Sequence, residues 1–341
     1  MRLVVIENSK LKSYNKILVT GAAGFIGFHL SKKLLEAGGQ VIGVDNLNDY
    51  YSTDLKKSRL AILKEYPCFR FMLLDISDYQ ALEEIFQQER PEIVVNLAAQ
   101  AGVRYSIDHP RECINSNICG FFNILEVCCH YPVKHLVYAY SSSVYGNQQK
   151  IPFSVEDKTD TPISLYATTK KADELMAYTY SHLYGIPATG LRFFTVYGPY
   201  GRPDMAYFKF TDAIMEKRPI RVYNNGDMLR DFTYVDDVVE VLVRIIVVRP
   251  RPDENGVHHK VYNVGNNHPE KLMDFIGVLE EALGKKAMKE YLPMQSGDVY
   301  QTYADVTELE RDFEFSPKTS IKDGLMRFAG WYLDWQARVR K

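Results

Sequence analysis

The sequence predicts an α/β protein: a doubly wound parallel sheet with helices on both faces, joined to a smaller C-terminal α/β unit that interleaves with it. Three observations carry this. Over the first half of the chain, apolar β-rich runs alternate with amphipathic helical stretches, the rhythm of a parallel sheet covered on both sides. Near the start, residues 17–27 read as a strand, a glycine-rich turn and the opening of a helix. After Arg192 the rhythm changes, because Gly198-Pro199-Tyr200-Gly201-Arg202-Pro203 is dense in turn formers and shorter strands then mix with helices.

Taken in order, the predicted strands are residues 17–20, 40–45, 70–74, 93–97, 135–141 and 189–193. Helical readings fall between them at 25–37, 79–89, 111–130 and 165–184. Units this short place a ligand site at the C-terminal ends of the strands. Beyond Arg192, residues 235–247 and 261–264 are expected to rejoin the first sheet, and 249–255, with two prolines and mixed charge, to form a surface loop. The expected division is 16–191 for the sheet domain, with 232–266 returning to it, and 192–231 plus 267–338 for the second domain. Residues 1–15 read as an N-terminal extension.

A chain of 341 residues can bury a large core. Its net charge of -2 and the lack of a polybasic block argue against nucleic-acid and membrane-surface partners, so cations for an anionic ligand must be local to a cleft. The five cysteines form no C-x-x-C pair, and the eight histidines are scattered, which points to reduced thiols and no metal site. The apolar run Leu3-Val4-Val5-Ile6 is too short for a signal segment, and no later run is long enough to span a bilayer. A cytoplasmic protein is expected.

Gly21-Ala22-Ala23-Gly24-Phe25-Ile26-Gly27 follows a strand and opens a helix. Glycines there let the backbone turn tightly and approach a pyrophosphate, whose charge is favoured at a helix N-terminus. A glycine triplet alone is weak evidence; an acid closing the next strand about 20 residues on strengthens it into a Rossmann-type dinucleotide site. That acid is Asp45, followed by Asn46, and a carboxylate there selects NAD over NADP. Its other reading is a plain turn residue. Asp75 and Ile76 close the third strand, within reach of an adenine ring, and Leu97, Ala98 and Ala99 close the fourth, where small residues either pass a cofactor or only pack tightly.

Tyr166 and Lys170 stand four residues apart, on one face of a helix. A phenol becomes a useful base when a cation beside it favours the phenolate. The pattern also arises by chance; what raises it here is the glycine turn and the run Ser141-Ser142-Ser143. The same serine run has a simpler reading as a polar turn.

Together, Gly21–Gly27, Asp45, Ser141, Tyr166 and Lys170 resemble the extended short-chain dehydrogenase/reductase family. From about Lys16 onward the chain is most similar to its UDP-glucuronate 4-epimerases. The stretches that carry this include Ala98-Ala99-Gln100-Ala101-Gly102-Val103-Arg104, Leu191-Arg192-Phe193-Phe194-Thr195-Val196-Tyr197-Gly198-Pro199 and Arg230-Asp231-Phe232-Thr233-Tyr234. The resemblance implies Ser141, Tyr166 and Lys170 as catalytic residues and bound NAD as a prosthetic group. It implies Tyr166 taking the C4 hydroxyl proton as C4 gives hydride to the nicotinamide, then return of the hydride to the other face of a 4-keto sugar. Asn117 is similar to the family's helix asparagine that organises this region, with helix-surface polarity as its other reading. Ser142, Ser143 and Thr195 would meet the C5 substituent, with Thr195 standing where galactose epimerases carry Asn. Arg104 joins the implied substrate contacts, Arg202 and Arg230 would hold the diphosphate (Arg202 alternatively the carboxylate), and Asp298 the uridine ribose. Gln295 departs from the pattern, standing where galactose epimerases have a second phosphate-binding arginine. Related dehydratases and decarboxylases carry an acid beside the catalytic Ser/Thr; Ser143-Val144 offers none, which leaves epimerisation. UDP-galactose or UDP-N-acetylhexosamine epimerase is the alternative substrate reading, and a non-catalytic NAD-binding module the alternative class. The resemblance also implies a homodimer through a four-helix bundle of the helices at 111–130 and 165–184.

Overall fold

The computed structural model describes residues 16–294 and 299–339. The expected extension at 1–15 and the assignments at Gln295 and Asp298 lie outside the described residues. Twelve strands are formed: β1 (Ile17–Thr20), β2 (Val41–Asp45), β3 (Phe69–Leu73), β4 (Ile93–Asn96), β5 (His135–Ser141), β6 (Ala188–Phe193), β7 (Thr195–Tyr197), β8 (Ile220–Val222), β9 (Leu229–Tyr234), β10 (His259–Val264), β11 (Pro269–Lys271) and β12 (Lys289–Tyr291). Seven of them make one sheet in the order β10-β6-β5-β4-β1-β2-β3. Every pairing in it is parallel. The chain winds outward from β1 through β2 to β3, then returns to lay β4, β5 and β6 on the other side. That reversal opens a crevice beyond the ends of β1 and β4, where Thr20 is level with Val44 and Asn96.

Strand alternation sends side chains to two cores. On one face Leu18, Ile42, Val94 and Leu136 pack with Phe86, Phe121 and Leu125. On the other, Ile17, Val19, Val95 and Val137 pack with Leu30, Leu34, Val238 and Leu242, and this core runs on into the C-terminal half through Phe208, Phe232, Phe275 and Phe328. Truncating one of these phenylalanines to alanine costs about 3–5 kcal/mol. The C-terminal half adds a three-stranded sheet, β11-β9-β7, and the parallel pair β12-β8.

Three local outcomes differ from the sequence reading. Val261–Val264 does lie in the sheet, within edge strand β10, but Val235–Ile246 is a helix. Its β-branched residues favour a strand, yet Asp236, Asp237, Glu240 and Arg244 recur at helical spacing, and the apolar stripe between them covers the sheet. The Thr53–Leu63 helix was not anticipated, since few apolar residues mark its buried face. The reading at 111–130 holds two α-helical pieces, Pro110–Ile114 and Gly120–His130, around a π-helical turn at Asn115–Cys119. Such turns recur at functional sites.

Candidate active site

A cleft of about 590 Å³ runs across the C-terminal ends of the strands. The glycine turn forms its floor. Gly21 has φ +68, and a Cβ on it would lie 2.9 Å from the Ala98 nitrogen, so the small residues ending β4 serve this close approach. On Gly27 a Cβ would meet the Gly21 carbonyl at 2.1 Å, which is why the Phe25–Glu36 helix can press against the turn. Gly24 caps that helix without a side-chain bond, leaving its first N–H groups to the cleft.

Beside the turn, the Asp45 carboxylate accepts from Ala23 N at 3.1 Å and Leu47 N at 2.9 Å. It therefore braces the turn while still facing the cleft. Asn46 donates to Asp75 at 2.7 Å, and Asp75 also accepts from the Ser77 backbone and hydroxyl. Burial pushes the Asp75 carboxyl up, and these hydrogen bonds more than offset it, holding the group below its ordinary value.

The Leu165–Tyr184 helix starts where Ser164 accepts from Ala167 N at 3.1 Å, and it stops at Gly185 in the left-handed region. This start places Tyr166 in the first turn, its N–H donating to the Ser106 hydroxyl at 3.2 Å. One turn on, Lys170 Nζ donates to the Ala139 carbonyl at 3.3 Å and to Asp173 at 2.8 Å. Burial pushes the Lys170 ammonium down; Asp173, then Tyr166, outweigh it and hold the group above the usual lysine range. Ser141 ends β5, and its Oγ accepts from Ser143 N at 3.2 Å. Ser143 Oγ is buried with no hydrogen-bond partner among the described residues.

Asn117 is 1% exposed and lies behind the cleft wall instead of on it. Its amide clamps the Gln100 backbone in both directions, at 2.8 and 3.2 Å, and donates to Thr169 Oγ1 at 3.0 Å. Thr169 in turn donates to the Tyr166 carbonyl at 2.8 Å. The structure places Asn117 as a support of the wall and of the Tyr166 turn.

On the facing wall Arg202 makes a two-pronged ion pair with Asp204, at 3.0 and 2.5 Å, and Tyr50 donates to the same carboxylate at 3.0 Å. Arg230 donates to the carbonyls of Leu229, Tyr300 and Val299 at 2.8, 2.9 and 2.7 Å. The Arg104 guanidinium sits 5.5 Å from the centre of the Tyr223 ring. Thr195 opens β7 and is half-buried.

The cleft therefore brings together Gly21, Gly24, Phe25, Ile26, Gly27, Asp45, Asn46, Asp75, Ile76, Leu97, Ala98, Ala99, Arg104, Ser141, Ser142, Ser143, Tyr166, Lys170, Thr195, Arg202 and Arg230. Sequence reasoning missed Asp204, Lys56 and Arg59. Lys56 donates to Asn48 through its carbonyl and side-chain oxygens at 2.7 and 2.6 Å. Fully buried Arg59 ties the glycine turn to the 198–201 turn, donating to Ala23 O at 2.7 Å and Tyr200 O at 2.6 Å. Only a charge inside an otherwise weak helical stretch hinted at either. Among the described residues, no cluster could hold a metal ion, and no helix is long and apolar enough to cross a membrane.

A doubly wound sheet with a dinucleotide-shaped glycine turn and a Tyr–Lys pair at the same cleft defines a nucleotide-dependent enzyme of the extended short-chain dehydrogenase/reductase class. The chain belongs to the NAD dependent epimerase/dehydratase family, whose pattern residues 17–265 match. It is 55% identical over 332 residues to the protein CapI of Staphylococcus aureus, covering 94% of this chain and 99% of that one. It is 45% identical over 329 residues to a probable UDP-glucuronate 4-epimerase of Rhizobium meliloti (strain 1021), covering 93% and 96%. The crystal structure of UDP-glucuronic acid 4-epimerase from Bacillus cereus, in complex with UDP-glucuronic acid and NAD, superposes with a TM-score of 0.86 at 33% identity, covering 94% of this chain and 99% of that one.

Proposed function

We propose that the protein is a UDP-glucuronate 4-epimerase, interconverting UDP-glucuronate and UDP-galacturonate through a transient 4-keto sugar. The observation that carries this is the meeting of Tyr166, Lys170 and the hydroxyls of Ser142, Ser143 and Thr195 in the cleft that holds the glycine turn. The likeness to a structure that holds UDP-glucuronic acid and NAD supports it.

The residues present fit NAD. Gly21, Gly24 and Gly27 admit a pyrophosphate at the uncapped helix end, and Asp45, with lone pairs beyond its two backbone bonds, accepts from ribose hydroxyls. When bound, NAD supplies the hydride acceptor and donor at sugar C4. Tyr166 takes the C4 hydroxyl proton and later returns it, and Lys170 stabilises the phenolate. Ser141, already fixed by Ser143 N, hydrogen-bonds the reacting oxygen. Ser142, Ser143 and Thr195 donate to the C6 carboxylate, and the buried, unpartnered Ser143 Oγ is one such donor. Arg202 and Arg230 attract the anionic diphosphate. The proposed enzyme works in the cytoplasm and as a homodimer, the latter because Phe122, Leu175, Tyr178 and Leu183 expose apolar surface along the two helices expected to pair. A monomer in sedimentation at micromolar concentration would remove that part.

The test is to denature the purified protein, identify the released nucleotide, and follow UDP-glucuronate with native enzyme. Stoichiometric NAD and formation of the galacturonate epimer are expected. Preferential turnover of UDP-galactose or a UDP-N-acetylhexosamine would move the substrate, and bound NAD with no turnover of any would leave a binding module.

A further inference from the structure

Asp173 lies one turn beyond Lys170 in the Leu165–Tyr184 helix, behind the cleft. The two side chains are 1% and 3% exposed, and their 2.8 Å contact is sequestered from solvent. The second carboxylate oxygen of Asp173 is buried with no hydrogen-bond partner among the described residues. A buried acid with one oxygen unanswered is costly, and hydrophobic residues could fill this helix face without that cost. Its geometry is instead directed at one atom, the nitrogen that faces Tyr166.

We infer that Asp173 is a positioning residue for the proton-transfer pair: it fixes the Lys170 ammonium in place and keeps it charged beside Tyr166. This rests on the reading of Tyr166 given above. An ammonium at such depth is pushed to lose its proton, and the adjacent carboxylate keeps it charged. Burial pushes the Asp173 carboxyl up, and the Lys170 ammonium beside it favours its ionised form. The anion has a second effect, opposing the appearance of further negative charge nearby. The ionisable groups around the pair are Lys170 and Tyr166 on its own helix, Cys113 on the Pro110–Ile114 helix, Tyr138 on β5, and Arg202 facing Tyr166 from the opposite wall. Taking the anion away makes loss of the Lys170 proton easier. Asp173→Asn therefore brings the basic limb of the kcat profile to lower pH and weakens the enzyme at its optimum.

The experiment measures kcat and KM against pH for wild-type enzyme, Asp173→Asn, Asp173→Ser and Tyr166→Phe, each with its bound NAD. Asp173→Ser is the second route because an Asn amide beside an ammonium can disturb folding, whereas serine is small and neutral. Expected for both Asp173 variants is a basic limb lowered by about one pH unit or more. With it come a roughly tenfold fall in kcat at the optimum and a KM within about twofold of wild type. A variant that loses stability or kcat while its basic limb stays where the wild type has it overturns the proposal, for a merely structural acid behaves that way. An active Tyr166→Phe enzyme overturns the reading of Tyr166 itself, so the two failures are distinct.

Discussion

The two walls of the cleft are built from different materials. On the sheet side the wall is backbone: the left-handed Gly21, the helix end at Gly24, and the β4 terminus packed against them. On the facing side the wall is side chain, with Arg202 paired to Asp204 and Arg230 bound to carbonyls of its own neighbourhood. Backbone geometry is set by sterics and is ready before any ligand arrives. Ion pairs must exchange partners when an anion binds. The glycine-turn half is thus a rigid seat and the arginine half an adjustable one, and Tyr166 and Lys170 line the same cleft between them.

If this pair carries the chemistry, Tyr166→Phe lowers kcat by roughly a thousandfold while NAD remains bound, a loss typical of removing a general base. Near-normal turnover of UDP-glucuronate would move the chemistry off the pair. The rigid wall breaks differently. Gly27→Ala sets a methyl 2.1 Å from the Gly21 carbonyl, and two backbone segments must part to admit it. Loss of retained NAD and a destabilisation of about 3 kcal/mol are expected, read by nucleotide release and by denaturant unfolding. A variant that keeps both would show the turn to be softer than its contacts imply.

Far from the cleft, at the opposite end of the same sheet's strands, stability is expected to depend on pH. His135, 2% exposed at the start of β5, contacts Thr189 Oγ1 at 2.8 Å and the Ile246 carbonyl. Burial, only partly opposed by the Ile246 carbonyl, lowers its pKa from 6.5 to about 4. Between those values the unfolded chain binds the proton that the folded one refuses, so stability falls as pH drops from 6.5 towards 4 and changes no further below. That shift corresponds to up to roughly 3 kcal/mol. Denaturant midpoints across this range should show a smaller slope in His135→Gln, and an unchanged slope would assign the loss to other groups.

What the sequence disclosed follows the same division. The glycine spacing, Asp45 and the Tyr–Lys spacing are local codes, since turn sterics and helix periodicity act over a few residues, and the structure brings all of them to one cleft. Partnerships between distant side chains have no such code. Nothing near Arg59 announces Tyr200, and nothing in Arg202-Pro203-Asp204 says that the acid doubles back on the arginine. The Val235–Ile246 helix shows the remaining failure, where β-branched composition outweighed a polar spacing that was visible. The role of Asp173 depends on its burial, which composition does not disclose.

The smallest expected effect falls on the adjustable wall and tests what it selects. Thr195→Val keeps the shape of the side chain and removes one hydroxyl at the head of β7. A hydrogen bond from that hydroxyl to a carboxylate contributes about 1.5–3 kcal/mol, so kcat/KM for UDP-glucuronate should fall by roughly tenfold or somewhat more. The hydroxyls of Ser142 and Ser143 remain to hold the carboxylate, which limits the loss. A neutral UDP-hexose presents no carboxylate and should lose little, so the ratio of the two substrates is the informative quantity. Equal losses for both would mean that Thr195 shapes the cleft without reading charge, and that the acidic sugar is chosen by the arginines instead.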